Sequence, residues 1–209
     1  MLISELSRLS GTPAATIKYY VREGLLQKGD RTGGNRTEYG DEHVHRLRLI
    51  RAMLEVGKLS VGSAAAVLEA LDRPELPIAE TFEIAQKALS RDAVPDVADP
   101  TPEGLSRVEA LISRAGWSDY CHGNVGAGIT AKAIDAFAGA GYPLADDYLD
   151  AYAAAAEQVA RADLGAVAVI DDASDRTELM VVGTVIGDTL SVGLRRIAQA
   201  HITAERNLS

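Results

Sequence analysis

Apolar positions recur through the first seventy residues at the spacing of short helices. Leu6 and Leu9 share one face of a segment that Ser4 is placed to cap and Gly11 to end. Thr12 can cap a second helix, with Pro13 at its first position, where a missing N–H costs nothing. Helical phase puts Ile17, Tyr20 and Val21 on one side of it, and Ala15, Lys18, Tyr19 and Arg22 on the other. Gly24 stops this helix, and Leu25 and Leu26 turn back toward a core. Residues 27–39 lose the helical period and carry two adjacent glycines, which predicts a turn or small β-hairpin. Asp41 opens a third helix with Val44, Leu47, Ile50 and Leu54 inward, ended by Gly57; Ser60 caps a fourth through Val61, Ala64, Ala65 and Leu68. The order is helix, turn, helix, wing and two more helices, one unit over residues 1–71.

Pro74 and Pro77 break the chain after this unit. Residues 72–102 predict a short amphipathic helix over 78–90, on Ile78, Phe82, Ala85 and Leu89. An acidic linker with Pro95, Pro100 and Pro102 follows it. Residues 103–209 predict a helical C-terminal domain, with helices near 103–115, 129–139, 145–164 and 176–203. The β-branched run Leu164 to Ile170 reads as the end of a buried helix rather than a strand. The fold class is therefore all-α, and no fixed internal period is evident.

Charge divides along the same line. The chain's formal charge is −9, yet residues 1–70 hold ten Lys/Arg against eight Asp/Glu, and the remainder eleven against twenty-two. The acidic part should repel a duplex, leaving the N-terminal unit to approach one. Cys121 is the single cysteine, so no intrachain disulfide forms and a reducing compartment is expected. No basic-plus-apolar leader opens the chain, and the most apolar run, Leu179 to Ile186, is too short to span a bilayer. A cytoplasmic protein without a membrane partner is the expectation.

The polar face of the second helix suits phosphate: Lys18 and Arg22 with amphipathic Tyr19, beside Thr16. Ser60, at a helix start, can present backbone N–H groups to an anion. The string Thr16-Ile17-Lys18-Tyr19-Tyr20, then Glu23-Gly24-Leu25-Leu26, then Tyr39 before a Leu- and Arg-rich helix, resembles the MerR family of bacterial transcription regulators. The wording is most similar to an actinobacterial branch with a helical C-terminal domain. The resemblance covers residues 2–71 and implies a winged helix-turn-helix in which Lys18 and Tyr19 approach DNA. It matches Arg36 and Tyr39 to the wing's Tyr-Arg-x-Tyr pattern, with Asn35 where the first Tyr is common. Arg31 lies in the same wing, and Lys58 and Ser60 fall where the family touches the DNA backbone. It further implies a dimer that distorts an overlong promoter spacer for RNA polymerase, with an effector shifting the balance of states. The alternative is a DNA-architectural or protein-partner module using the same fold without a small-molecule effector.

Other residues invite chemistry less strongly. Cys121-His122 makes a poor metal site, since structural zinc wants four ligands and soft metals want two thiolates, so no metal and no cofactor is expected. His43 and His45 read as the solvated side of a basic helix. Trp117, Tyr120, Phe137, Tyr142, Tyr148 and Tyr152 either fill the C-terminal core or, in part, line an effector pocket; Trp117, Tyr120, Phe137, Tyr148 and Tyr152 are the candidates for the second role. Asp146-Asp147 and Asp171-Asp172 are adjacent pairs suited to turns or caps, with no accompanying nucleophile or phosphate loop, so no catalytic residue is named and an enzyme is not expected. The two prolines also remove the long dimerisation helix common in the family, because residues 78–90 supply under two heptads. The homodimer is therefore expected to use the C-terminal helices. These are the 145–164 helix and the last one, which carries Val182, Val185, Ile186, Leu190, Leu194 and Ile197 with Gly183 and Gly187 four apart.

Overall fold

The computed structural model describes residues 1–31, 37–93, 99–117 and 124–206. Among them, helices α1 (Ile3–Ser10) and α2 (Ala14–Arg22) precede a ribbon of β1 (Asp30–Arg31) and β2 (Thr37–Glu38). Next come α3 (Asp41–Arg51), continued by a π turn over Ala52–Val56, then α4 (Val61–Leu71) and α5 (Ile78–Ala93). The chain ends with α6 (Pro102–Ala115), α7 (Val125–Gly139), α8 (Asp146–Ala168) and α9 (Ala173–Glu205). The ribbon is antiparallel, with Asp30 opposite Glu38 and Arg31 opposite Thr37. The helical class and the winged order thus follow the periodicity, and the β-branched run at 164–170 is indeed helix through Ala168.

Two compact units divide the chain: Met1–Ala88 with Val181–Ser209, and Leu89–Met180. This differs from a C-terminal domain running unbroken over 103–209, because most of α9 clusters with the N-terminal unit. There Val181 and Val185 are buried, and Thr189 Oγ1 donates to Val56 O at 3.1 Å.

The core of the first unit is built from Leu6, Ile17, Leu25, Leu47, Ile50, Met53, Val67 and Leu68, each nearly or fully inaccessible. Several local expectations shift. Leu2, not Ser4, occupies the α1 cap position, in extended backbone and with no side-chain hydrogen bond. Pro13 caps α2 with its backbone, Ile17 N donating to Pro13 O at 2.9 Å, while the Thr12 hydroxyl is buried without a hydrogen-bond partner. Leu9 is exposed, since eight residues of α1 turn only Leu6 and Ser10 fully inward. Leu54 yields the core position to Met53. There the chain makes a wider turn, Gly57 N reaching back five residues to Ala52 O, which rotates the inward face. The α1–α2 corner needs Gly11: its φ is +67°, and a Cβ would lie 2.8 Å from Arg51 Nη1, which donates to Ser10 O at 3.2 Å.

Helix α4 starts as expected, with the Ser60 hydroxyl accepting from Ser63 N at 3.1 Å. In α5 the buried face is Thr81, Ala85 and Ala88 rather than one led by Ile78, which is exposed.

In the second unit α6 packs on α7 and α8 around Val108, Leu111, Ala131, Ile134, Leu149 and Ala153. Asp135 of α7 holds the start of α6, accepting from Thr101 N and Thr101 Oγ1 at 2.7 Å each. Arg107 and Arg114 of α6 bind Asp146 and Asp150 of α8 at 3.0 and 2.8 Å, so Asp146 of the first carboxylate pair serves packing. Asp172 caps α9, accepting from Ser174 N and Asp175 N at 2.9 Å. The end of α8 is not buried throughout: Leu164 and Val169 are exposed, and Val167 alone of these three is buried. Helix α9 carries the Leu179–Ile186 run through 33 residues, so by length and composition it is long and apolar enough to cross a bilayer, unlike the run alone.

Candidate nucleic-acid interface

The polar side of α2 is arranged as its phase predicts. Ile17 and Tyr20 are buried, Ala15, Lys18 and Arg22 are exposed, and Thr16 and Tyr19 are half-buried. Burial raises the Tyr20 phenol above its ordinary pKa, so it stays a neutral anchor. Tyr19 lies against it, ring centroids 5.8 Å apart, and carries the Arg22 guanidinium 5.1 Å above its own ring. Arg22 Nε also bonds Glu23 Oε1 at 3.0 Å. That pair is solvent-exposed and weak, so a phosphate can displace the carboxylate while Tyr19 keeps the guanidinium oriented.

The base of the wing is tied to the chain's own start. Met1's amino group donates to Tyr39 O at 2.7 Å, and Tyr39 N donates to Met1 O at 2.9 Å. Arg31 stands exposed on β1, and Tyr39 is half-buried just past β2. Asn35 and Arg36 lie outside the described residues. The Tyr39 ring meets His43 edge-on at 5.1 Å. His43 is buried rather than solvated: Gly40 N donates to its Nδ1 at 3.0 Å, and its Nε2 is enclosed without a hydrogen-bond partner. Residue His45 is exposed. Glu42 sits at the α3 start, its carboxyl held below the usual range by its own backbone N–H and then by His43.

Lys58 and Ser60 are both exposed at the turn into α4. Lys58 adopts φ +58°, the left-handed region. A non-glycine residue there costs about 1–2 kcal/mol. A lysine in such a place trades stability for a cation at the loop's tip. Lys58→Gly is therefore expected to hold or raise stability, by up to about 1 kcal/mol once glycine's extra unfolded-state freedom is subtracted. The same change should lower duplex affinity and reduce the salt slope by about one. Thermal melts and salt-titrated binding read the two effects separately.

Periodicity did not reveal Arg46. Its Nε donates to Leu25 O at 3.1 Å, and its Nη atoms hold both oxygens of Asp72 at 2.9 and 2.6 Å. This side chain joins the end of α2, α3 and the end of α4, and so fixes the angle at which α2 is presented. No local spacing signals it, because its acceptors lie twenty-one and twenty-six residues away.

The candidate pocket aromatics do not gather into a core. Phe137, Tyr142, Tyr148 and Tyr152 are exposed, Trp117 packs at the rim of the α6–α8 core with its Nε1 donating to Glu157 at 3.3 Å, and Tyr120 lies outside the described residues. Tyr148 and Tyr152 stack one turn apart, ring centroids 4.9 Å apart and hydroxyls 3.1 Å apart. The core there is made of smaller aliphatic residues. Cys121 and His122 also lie outside the described residues.

Comparison with known proteins covers the same ground. The model of the MerR HTH family of regulatory proteins matches residues 1–71. The HTH-type transcriptional regulator HmrR of Sinorhizobium medicae is 40% identical over 57 residues, which are 27% of this chain and 39% of that protein. The match thus spans about two-fifths of that relative's length. A mercuric resistance operon regulatory protein of Pseudomonas fluorescens is 28% identical over 113 residues, 54% of this chain and 72% of that protein. Among solved structures, a proposed transcriptional regulator from Streptomyces coelicolor A3(2) superposes with a TM-score of 0.72 at 28% identity, covering 99% of this chain and 97% of the other.

Proposed function

We propose that this chain, whose residues 1–71 match the model of the MerR HTH family, binds promoter DNA sequence-specifically as a dimer and regulates transcription. The observation that carries this reading is the polar face of α2, with Lys18 and Arg22 exposed and Tyr19 half-buried, in a unit that also exposes Arg31 on β1 and Lys58 and Ser60 before α4. In this reading Thr16, Lys18 and Tyr19 enter the groove, and Arg22, Arg31, Arg36, Lys58 and Ser60 hold the backbone, with Asn35 and Tyr39 at the wing. Binding distorts the promoter spacer, and RNA polymerase responds to the altered DNA rather than to direct contact. The site of action is the cytoplasm, where the promoter is.

The dimer uses the C-terminal helices, α9 together with the exposed side of α8 that carries Tyr148, Tyr152 and Val159. Trp117, Tyr120, Phe137, Tyr148 and Tyr152 are the candidate contacts for an unidentified small-molecule effector, with Phe137, Tyr148 and Tyr152 exposed.

Lys18→Ala tests the reading. Specific binding to the chain's own upstream promoter should fall by ten-fold or more, on the scale of about 1–3 kcal/mol per lost contact. A specific-to-nonspecific ratio near unity for the unaltered protein would instead identify an architectural DNA binder. Unchanged binding in Lys18→Ala would remove α2 from the interface.

A further inference from the structure

Two cations stand on the polar side of α2, and they are not equivalent. Among the described residues Lys18 forms no ion pair, nor does Arg31 on β1, whereas Arg22 Nε donates to Glu23 Oε1 at 3.0 Å. The guanidinium is also steered from the other side, its carbon 5.1 Å from the centre of the Tyr19 ring. Both partners are at the surface, the arginine side chain 71% and the glutamate 37% exposed. Arg22 is thus oriented by an aromatic face and covered at its Nε edge by the carboxylate of the next residue.

Stability does not account for Glu23. It follows the last residue of α2, with its N–H donating to Tyr19 O at 2.9 Å. The helix dipole turns its negative end there, so a carboxylate is disfavoured and a cation favoured. An exposed ion pair returns little, about as much as the dipole takes away. Among the described residues the Glu23 side chain has no other hydrogen bond or ion pair. What it changes is the charge that α2 shows a duplex. A phosphate that takes Arg22 must displace Glu23 and approach a group of its own sign.

We propose that Glu23 is a specificity-determining residue for duplex binding: it withholds Arg22 from phosphate in non-specific encounters and yields it when α2 is seated on its site. The proposal rests on the DNA-binding reading above and names what separates a target from any other duplex on this face. In a loose encounter no phosphate is held against the guanidinium, and the pair with Glu23 survives. In the seated complex Lys18 and Tyr19 fix the register and bring one phosphate to Arg22. Contacts that only the right sequence supplies then drive the exchange of carboxylate for phosphate.

Glu23→Gln removes the charge and keeps the length of the side chain. Salt-titrated binding of the full chain to its own upstream promoter, and to a scrambled duplex of equal length, tests the proposal. Affinity for the scrambled duplex should rise about ten-fold at low salt, with a slope steeper by about one, because Arg22 becomes a phosphate contact there. Promoter affinity should rise by no more than about five-fold, the worth of an exposed pair, with its slope unchanged. The specific-to-nonspecific ratio therefore falls by at least about two-fold. In an Arg22→Ala background the same substitution should shift both affinities by one factor, which separates the pair from a mere loss of charge. A ratio that Glu23→Gln leaves unchanged, or lowers equally without Arg22, would overturn the proposal. The free chain gives a readout without DNA: the Arg22 Nε–H should exchange with solvent more slowly in the unaltered protein than in Glu23→Gln, and equal rates would overturn the pairing. Melting temperature should hold or rise in the variant, since the dipole no longer opposes the side chain. A ratio near unity in the unaltered protein is a different result, which removes the regulatory reading and this proposal with it.

Discussion

Arg46→Ala is expected to destabilise the N-terminal unit by about 2–3 kcal/mol, a large share of the 5–15 kcal/mol typical of a domain. The guanidinium is mostly buried, its side chain 16% exposed, and it satisfies Leu25 O as well as both oxygens of Asp72. Truncation strands a backbone carbonyl at the end of α2 and a carboxylate at the end of α4. The figure sits below that of a fully buried ion pair because Asp72 is 44% exposed and can recover water. Lys cannot reproduce the two-pronged geometry, so Arg46→Lys should recover less than half of the loss. Denaturant titration measures both. A shift under about 0.5 kcal/mol for the alanine variant would make the clamp a bystander. Since Arg46 also sets the pose of α2, promoter affinity should fall further than the loss of folded fraction explains.

Gly57→Ala should cost about 2–3 kcal/mol, the upper part of the range for overpacking. Its backbone conformation is ordinary for any residue, with φ −70°, so the cost is not conformational. It arises because the new Cβ would overlap Val185 Cγ1 and approach Met53 O to 2.9 Å. Helix α9 rests on this glycine, and the buried Val185 has no free direction in which to move. Val185→Ala alone should lose roughly 1–2 kcal/mol through its cavity. The two changes together should cost less than their sum by at least about 1 kcal/mol, which a double-mutant cycle detects. Simple additivity would mean that α9 does not press on the π turn. Gly57 adjoins Lys58, so displacement of α9 should also alter duplex binding.

Helix order was legible because apolar period and helix stops act over a few residues. Gly11, Gly24 and Gly116 end α1, α2 and α6 in left-handed backbone, and Ser60 caps α4 through its own hydroxyl. The cap assignments at Ser4 and Thr12 failed for a reason of the same scale. A cap requires extended backbone just before the helix, and Leu2 and Pro13 take that conformation instead. The polar face of α2 was legible for the same reason that its core face was: both follow from one helical phase. His43 was not, since its burial depends on the Tyr39 ring arriving from the wing and on Gly40 donating to its Nδ1. The aromatics of the second unit misled in the opposite sense, as composition says nothing about which face of α8 turns outward.

The residue string alone therefore determined the winged helix-turn-helix, the cationic face of its second helix and the break at Pro74 and Pro77. Each is set by neighbours within a turn or two. Folding in three dimensions decided the rest: Asp72 as the partner of Arg46, and Val56 as the acceptor for Thr189 across 133 residues. It also decided that most of α9 belongs with the N-terminal unit. Such pairings depend on which surfaces meet when helices pack, and a period of three or four residues carries no information about a contact made that far along the chain.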